Sequence, residues 1–219
     1  MVADSLELEF RGARRHLVET LQDKGIRDLG VLRAIDSVPR HLFVPPTVRG
    51  RAYVDSALPI GSGQTISQPY VHARSLEHMA LTGTERVLEI GTGSAYQTAL
   101  LSQLAAQVFS VERVPELLDR ARKLLSQLSI SNVSVCLGDG TLGWRAYAPY
   151  DAIVVGAGAP KVPPALEEQL AEGGRLLIPV GDRDQQMLAL FTRRGARLER
   201  RDIEPVHFVP LIGAGGWPS

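Results

Sequence analysis

Cysteine is almost missing from this chain. Cys136 stands alone in 219 residues, so there is no partner for an intramolecular disulfide and no spaced thiol set for a structural zinc. A reducing compartment, the cytoplasm, is the expectation. Neither sign of charge is in excess. Lys plus Arg and Asp plus Glu both number 24, for a formal net charge of zero, and no global field draws the molecule to nucleic acid or anionic lipid. Aromatics are sparse at 5%, but 44% hydrophobic and 22% charged residues exclude disordered, collagen-like and coiled-coil chains. No apolar run approaches the roughly 20 residues that cross a bilayer. The opening residues mix Asp4, Glu7 and Glu9 with Arg11, Arg14 and Arg15, which is not the basic start and apolar stretch of a signal peptide. The expectation is one soluble domain with no membrane partner.

Several chemical signatures are absent as well. His16, His41, His72, His78 and His207 have no H-E-x-x-H or facial-triad spacing, so no metal is expected. There is no Walker P-loop, and Gly63-Gln64-Thr65-Ile66-Ser67 is not the G-x-S-x-G of a hydrolase elbow. Arg193, Arg194, Arg197, Arg200 and Arg201 are interrupted by Glu199 and Asp202 and read as a solvated edge, without a nucleic-acid role.

What is present is a repeated strand-then-helix pattern. Short β-branched segments at Arg86 to Ile90, Gln107 to Glu112, Val133 to Leu137, Tyr150 to Val155 and Gly174 to Val180 suit a sheet covered on both faces. Helical segments at Ala95 to Ala105, Pro115 to Leu128 and Pro164 to Ala171 supply parallel crossovers. This is a doubly wound, Rossmann-like α/β sheet. Two or three short helices are predicted between Phe10 and Leu42, a Pro- and Gly-rich irregular loop from Val44 to Tyr70, and a helix over Val71 to Leu81. Strands at Gln186 to Arg193, Ala196 to Glu204 and Val206 to Ile212 give an antiparallel C-terminal edge, followed by a mobile tail from Gly213 to Ser219. The single domain, 1–219, divides into helices and loop (1–70), an α/β ligand-binding core (71–185) and antiparallel strands with tail (186–219).

Three strand ends converge on one ligand. The strand ending at Ile90 runs into Gly91-Thr92-Gly93-Ser94-Ala95-Tyr96, a glycine-rich turn before a helix. The next strand ends in Glu112, 19 positions after Gly93, where a carboxylate can accept from ribose hydroxyls. The third is followed by Gly138-Asp139-Gly140, whose carboxylate can accept from an adenine amino group. A dinucleotide fingerprint would need glycine where Tyr96 stands. S-adenosylmethionine, an adenosine without a phosphate, fits the pattern better.

The stretch Ala57-Leu58-Pro59-Ile60-Gly61-Ser62-Gly63-Gln64-Thr65-Ile66-Ser67-Gln68-Pro69-Tyr70, the Val87 to Tyr96 turn and Val209-Pro210-Leu211 together resemble the protein-L-isoaspartate (D-aspartate) O-methyltransferases, over roughly residues 15 to 213. The resemblance implies a class I methyltransferase sheet with an N-terminal helical extension. It implies transfer of the methyl of S-adenosylmethionine to the α-carboxylate of L-isoaspartyl residues, leaving S-adenosylhomocysteine and an ester that collapses to a succinimide and so begins repair. Damaged proteins and peptides are then the partners of a monomeric enzyme. By the same resemblance Ser67 is catalytic. Thr65, Ile66, Glu89, Gly91, Thr92, Gly93, Ser94, Glu112, Arg113, Asp139 and Gly140 hold the cofactor. Pro59, Ile60, Gly61, Ser67, His72, Val209 and Pro210 hold the substrate. The family pattern has glycine where this chain has Ala95, and mild accommodation of the extra methyl is expected. Other readings stay open: a class I methyltransferase for a metabolite or RNA, an adenosine-binding module without catalysis, and a dehydrogenase.

Overall fold

A computed structural model describes residues 2–218, with side chains from residue 10 onward. Met1 and Ser219, the ends of the predicted domain and tail, lie outside the described residues. The N-terminal region forms α1 (Val2–Asp23) and α2 (Leu29–Ser37), so the first predicted helix is longer than its periodicity suggested. Gly25, at φ +97°, turns the chain between them. Asp28 caps α2, its Oδ1 accepting from the main-chain N–H groups of Gly30 (2.7 Å) and Val31 (3.1 Å). Phe10, Leu17, Leu21, Val31 and Ile35 are all buried. At about 1.5–3 kcal/mol for each large apolar side chain, that stripe anchors the helices in the core that covers one face of the sheet.

The loop from Val44 to Tyr70 is more regular than expected. A 3₁₀ turn, Pro46–Arg51, leads to a hairpin of β1 (Leu58–Gly61) and β2 (Gln64–Ile66), with Leu58 opposite Ile66. Ser67 and Gln68 link β2 to α3 (Pro69–Met79), and Pro69 supplies the fixed φ of a first helical position.

The main sheet has the order β5-β4-β3-β6-β7-β8-β9. Its strands are β3 (Arg86–Ile90), β4 (Gln107–Glu112), β5 (Val133–Leu137), β6 (Tyr150–Val155), β7 (Leu170–Gly181), β8 (Gln186–Arg194) and β9 (Arg197–Val206). β3 to β7 run parallel, and β8 and β9 are antiparallel. The crossover helices α4 (Tyr96–Leu104) and α5 (Pro115–Gln127) lie close to their predicted bounds. The crossover α6 (Pro164–Glu168) is shorter than predicted, because β7 already pairs at Leu170 with Tyr150.

Two other expectations are corrected. Val206 to Ile212 is not a strand: β9 ends at Val206, and beyond it the chain forms only isolated bridges, Gly158–Pro210 and Ile212–Trp217. The tail is docked. Gly213 and Trp217 bond each other, Trp217 Nε1 donates to Gly158 O at 3.1 Å, and Gly215 N donates to Thr141 Oγ1 at 2.9 Å.

Chain direction changes sides between β3 and β6, since β4 and β5 extend the sheet one way and β6 to β9 the other. That switch point opens a crevice at the strand carboxyl ends. Val87 and Glu89 face the α2–α4 side, whereas Leu88 and Ile90 face the α6 side, so the crevice sits above two separate packed layers.

Candidate active site

At the end of β3 the backbone must leave the sheet within a few residues. Gly91 (φ +91°) and Gly93 (φ +55°) take left-handed conformations that a Cβ would strain. Gly91 N still donates to Val111 O at 2.9 Å and Gly156 N to Ile90 O at 2.8 Å, which fixes the mouth of the crevice between β4, β3 and β6. A Cβ on Gly156 would lie 3.3 Å from Ile90 O, and one on Gly140 would lie 2.3 Å from Ile90 Cγ2. Close approach explains both glycines.

Ala95 also has positive φ, +67°, so its conformation is the strained alternative. Left-handed backbone costs a non-glycine residue about 1–2 kcal/mol. Glycine would relieve that strain but would lose a fully buried methyl, worth about 0.8 kcal/mol, and would add about 0.5–1 kcal/mol of unfolded-state entropy. The opposing terms nearly cancel. Ala95→Gly should therefore shift the melting temperature by no more than about 2 °C and the cofactor dissociation constant by less than about threefold. A tenfold gain in affinity by titration calorimetry would show that the alanine distorts the turn.

Glu112, at the end of β4, organises this turn. Its Oε2 accepts from Gly93 N at 2.8 Å, and its Oε1 accepts from Arg113 N (2.8 Å) and Val114 N (2.9 Å). Asp139 follows β5, its Oδ1 accepting from Thr141 N and Oγ1 and its Oδ2 from Ala214 N at 2.8 Å. Burial alone would raise this carboxyl, but the bonds from Thr141 and Ala214, with the Arg113 charge nearby, hold it below its ordinary value.

Two adjoining cavities open here. One, about 300 Å³, is walled by Ile90, Gly91, Val111, Glu112, Gly140 and Gly156, with Gly63 to Thr65 and Val209 to Ile212 across the opening. The other, about 710 Å³, is lined by Ser67, Gln68, Tyr70, Arg183, Glu204 and His207 among others. Thr65, Gly156, Val209 and Pro210 belong to both. A slot bordered by a carboxylate therefore meets a larger cleft that carries a serine. Ser67 is half-buried, and no described residue takes up its hydroxyl at hydrogen-bond distance.

Other residues expected at the ligand occupy different places. Glu89 lies beneath the turn, fully buried, accepting on Oε2 from Thr98 Oγ1 (2.5 Å) and Ser110 Oγ (2.7 Å). Thr92 Oγ1 joins the same chain through Ser110 Oγ at 2.6 Å. His72 is buried against Tyr96, with Nδ1 3.1 Å from Gln97 Oε1. Burial, then the Arg40 charge, lowers His72 to about 3, so it is neutral. Ser94 accepts from Tyr96 N and faces a separate groove with Ile60. Pro59, Ile60, Ile66 and Gly61 line neither cavity, and the Ile60 carbonyl accepts from Arg120 Nη1 at 3.0 Å. Sequence reasoning did not identify Gln68, Tyr70, Glu204, His207 or Gly156. Of these, only Gly156, in the Gly-Ala-Gly run after β6, carried a usable signal, a second glycine-rich strand end. Among the described residues no group of three or more His, Cys, Asp or Glu is arranged for a metal, and no helix is long and apolar enough to cross a membrane.

Burial raises Glu89 from 4.5 to about 7 against the bonds from Thr98 and Ser110. A raised folded-state value means that its contribution to stability is full below about pH 4.5 and is lost as pH rises through 7. Glu89→Gln, which mimics the protonated acid, should lack this loss. Urea melts of the two proteins at pH 5 and pH 8 should diverge by on the order of 2 kcal/mol. Parallel pH dependence would mean that Glu89 is already ionised at pH 5.

Residues 12–215 match the model of the protein-L-isoaspartate(D-aspartate) O-methyltransferase family. A protein-L-isoaspartate O-methyltransferase of Dictyoglomus thermophilum is 51% identical over 209 residues, 95% of each chain. One of Methanoculleus marisnigri is 50% identical over 94% of each. Among solved structures, a protein-L-isoaspartate O-methyltransferase superposes with a TM-score of 0.85 at 30% identity, covering 93% of this chain and 67% of the other. A Plasmodium falciparum protein described as a putative protein-L-isoaspartate O-methyltransferase, in complex with S-adenosyl-L-homocysteine, gives 0.80 at 27% identity, over 91% and 98%.

Proposed function

The chain belongs to the protein-L-isoaspartate(D-aspartate) O-methyltransferase family and is an S-adenosylmethionine-dependent carboxyl methyltransferase of L-isoaspartyl residues in proteins and peptides; from that premise we propose how its residues divide the work. The observation that carries the proposal is the junction of the two cavities at Thr65, Gly156, Val209 and Pro210. The smaller cavity suits the cofactor: apolar Ile90 and Val111 for the adenosine, Glu112 for the ribose, and glycines at Gly91, Gly140 and Gly156 where a side chain would intrude. Asp139 and Gly140 stand at the adenine side. When bound, S-adenosylmethionine supplies a methyl group on a positively charged sulfur.

The acceptor is an α-carboxylate with an ordinary pKa of roughly 3.5, already ionised at neutral pH, so the enzyme needs no general base. Its own residues position and exclude water. Ser67 donates its hydroxyl to one acceptor oxygen, and the Val209–Pro210 main chain, which lines the same cleft, borders the peptide. Glu89 and His72 support the turn and helix from beneath and do not contact the acceptor. The methyl ester so formed collapses to a succinimide, the first step of repair. The reading also has the enzyme acting as a cytoplasmic monomer without a nucleic-acid partner. Its support is the lone Cys136 and the pairing of Arg194 with Glu199 and Arg200 with Asp202 at the β8–β9 edge.

The test is transfer of labelled methyl to paired peptides that differ only in isoaspartyl against aspartyl linkage. Base-labile label on the isoaspartyl peptide alone is expected. Cofactor binding with label on neither would move the site assignments to another acceptor.

A further inference from the structure

The serine loop is anchored from below by a buried cation. Arg40 follows α2 and is fully buried, among the largest of the completely buried side chains of the described residues. Its Nη2 donates to the main-chain carbonyl of Ser67 at 2.8 Å, and its Nε donates to the carbonyl of Ala52, also at 2.8 Å. The guanidinium lies 4.8 Å from the ring centre of Tyr96, the first residue of α4 after the glycine turn. One side chain thus touches the acceptor loop and the first residue after the cofactor turn.

We infer that Arg40 is a positioning residue for methyl transfer, fixing the Ser67 hydroxyl relative to the cofactor turn through its bond to the Ser67 carbonyl; this rests on the reading that Ser67 holds the acceptor. Burial lowers Arg40 to about 10, with Tyr96 and Asp55 opposing, so it stays charged at neutral pH. Burying a charge is costly, and a fold that needed only filled volume could use an apolar side chain there. The rigid fork of Arg suits a site that must hold two carbonyls from separate segments at once. The neighbouring anchor has the same target. Asp55 accepts from Tyr70 N at 2.8 Å and Gln68 Nε2 at 3.0 Å, and is paired with Lys24 at 2.5 Å. The residues just after Ser67 are therefore fixed too, which leaves the Ser67 peptide group itself to Arg40.

The test is a double-mutant cycle of Arg40→Lys with Ser67→Ala, read by kcat, by isoaspartyl-peptide affinity in the presence of S-adenosylhomocysteine, and by circular dichroism. Arg40→Lys keeps the charge and loses the fork. It should lower kcat roughly 10- to 30-fold, the scale of a sub-ångström to ångström misplacement, with cofactor affinity changed less than about twofold. In the Ser67→Ala background the same change should cost less than about threefold, because a residue acting through Ser67 has nothing left to position. A full multiplicative loss in the double mutant overturns the inference. Near wild-type turnover in Ser67→Ala alone would instead overturn the reading of Ser67, a separately visible outcome. Arg40→Gln, with a neutral donor, repeats the cycle if the lysine variant does not fold at assay temperature. If neither variant folds, Arg40 is a determinant of the fold and the positioning role is withdrawn.

Discussion

Replacing Glu112 with alanine should raise the dissociation constant of S-adenosylmethionine roughly 30- to 1000-fold, about 2–4 kcal/mol. A carboxylate has about four acceptor directions. Main-chain donors of Gly93, Arg113 and Val114 occupy three, leaving one on Oε2 for a ribose hydroxyl in the smaller cavity, which Glu112 lines. A hydrogen bond to a charged group contributes about 1.5–3 kcal/mol, which sets the lower part of the range. The remainder comes from the turn, because truncation releases Gly93 N, whose left-handed backbone the carboxylate holds in place. Glu112→Gln should also weaken binding, since an amide nitrogen would face an N–H donor on one side or the other. Calorimetric titration with S-adenosylhomocysteine measures both variants without turnover. An unchanged dissociation constant in the alanine variant would remove Glu112 from the ribose site.

The parallel strands were legible because their evidence is local: Val87 to Ile90, Val108 to Val111 and Ile153 to Val155 are short, mostly apolar runs bounded by turns, and burial on both faces favours that pattern. The places of Gly91, Glu112 and Asp139 were legible for a related reason, as each stands at or just beyond the end of a recognisable strand and the three strands are neighbours in the sheet. Contacts whose second partner is main chain have no such signature. Nothing in Ala214 marks it as the donor to Asp139, and nothing in Ser67 marks its carbonyl as the acceptor for Arg40. The docked tail and the buried guanidinium were illegible for that reason, although Trp217 was an apolar anchor awaiting a place. Ala95 shows a different limit. The glycine in the family pattern indicated a special conformation, but an alanine residue does not disclose the sign of its φ.

Ser67→Ala should reduce kcat/KM for an isoaspartyl peptide about 100-fold while leaving cofactor affinity within about twofold. Ser67 lines the larger cleft and its hydroxyl is not engaged by any described residue, so its donor is available to an incoming carboxylate. Removing it deletes one bond to a charged acceptor, about 1.5–3 kcal/mol, and also frees the carboxylate to rotate away from the methyl. The protein itself has little to lose: Ser67 is held through its carbonyl by Arg40, and that bond survives the substitution. The melting temperature should therefore stay within about 2 °C, which separates a lost contact from a disordered loop. How the loss divides between kcat and KM carries further meaning. A fall in kcat with little change in KM places the serine bond chiefly in the transition state, where alignment matters most. A rise in KM alone would mean that Ser67 only gathers substrate, and the alignment would then have to come from the main chain at Val209 and Pro210, at the junction itself.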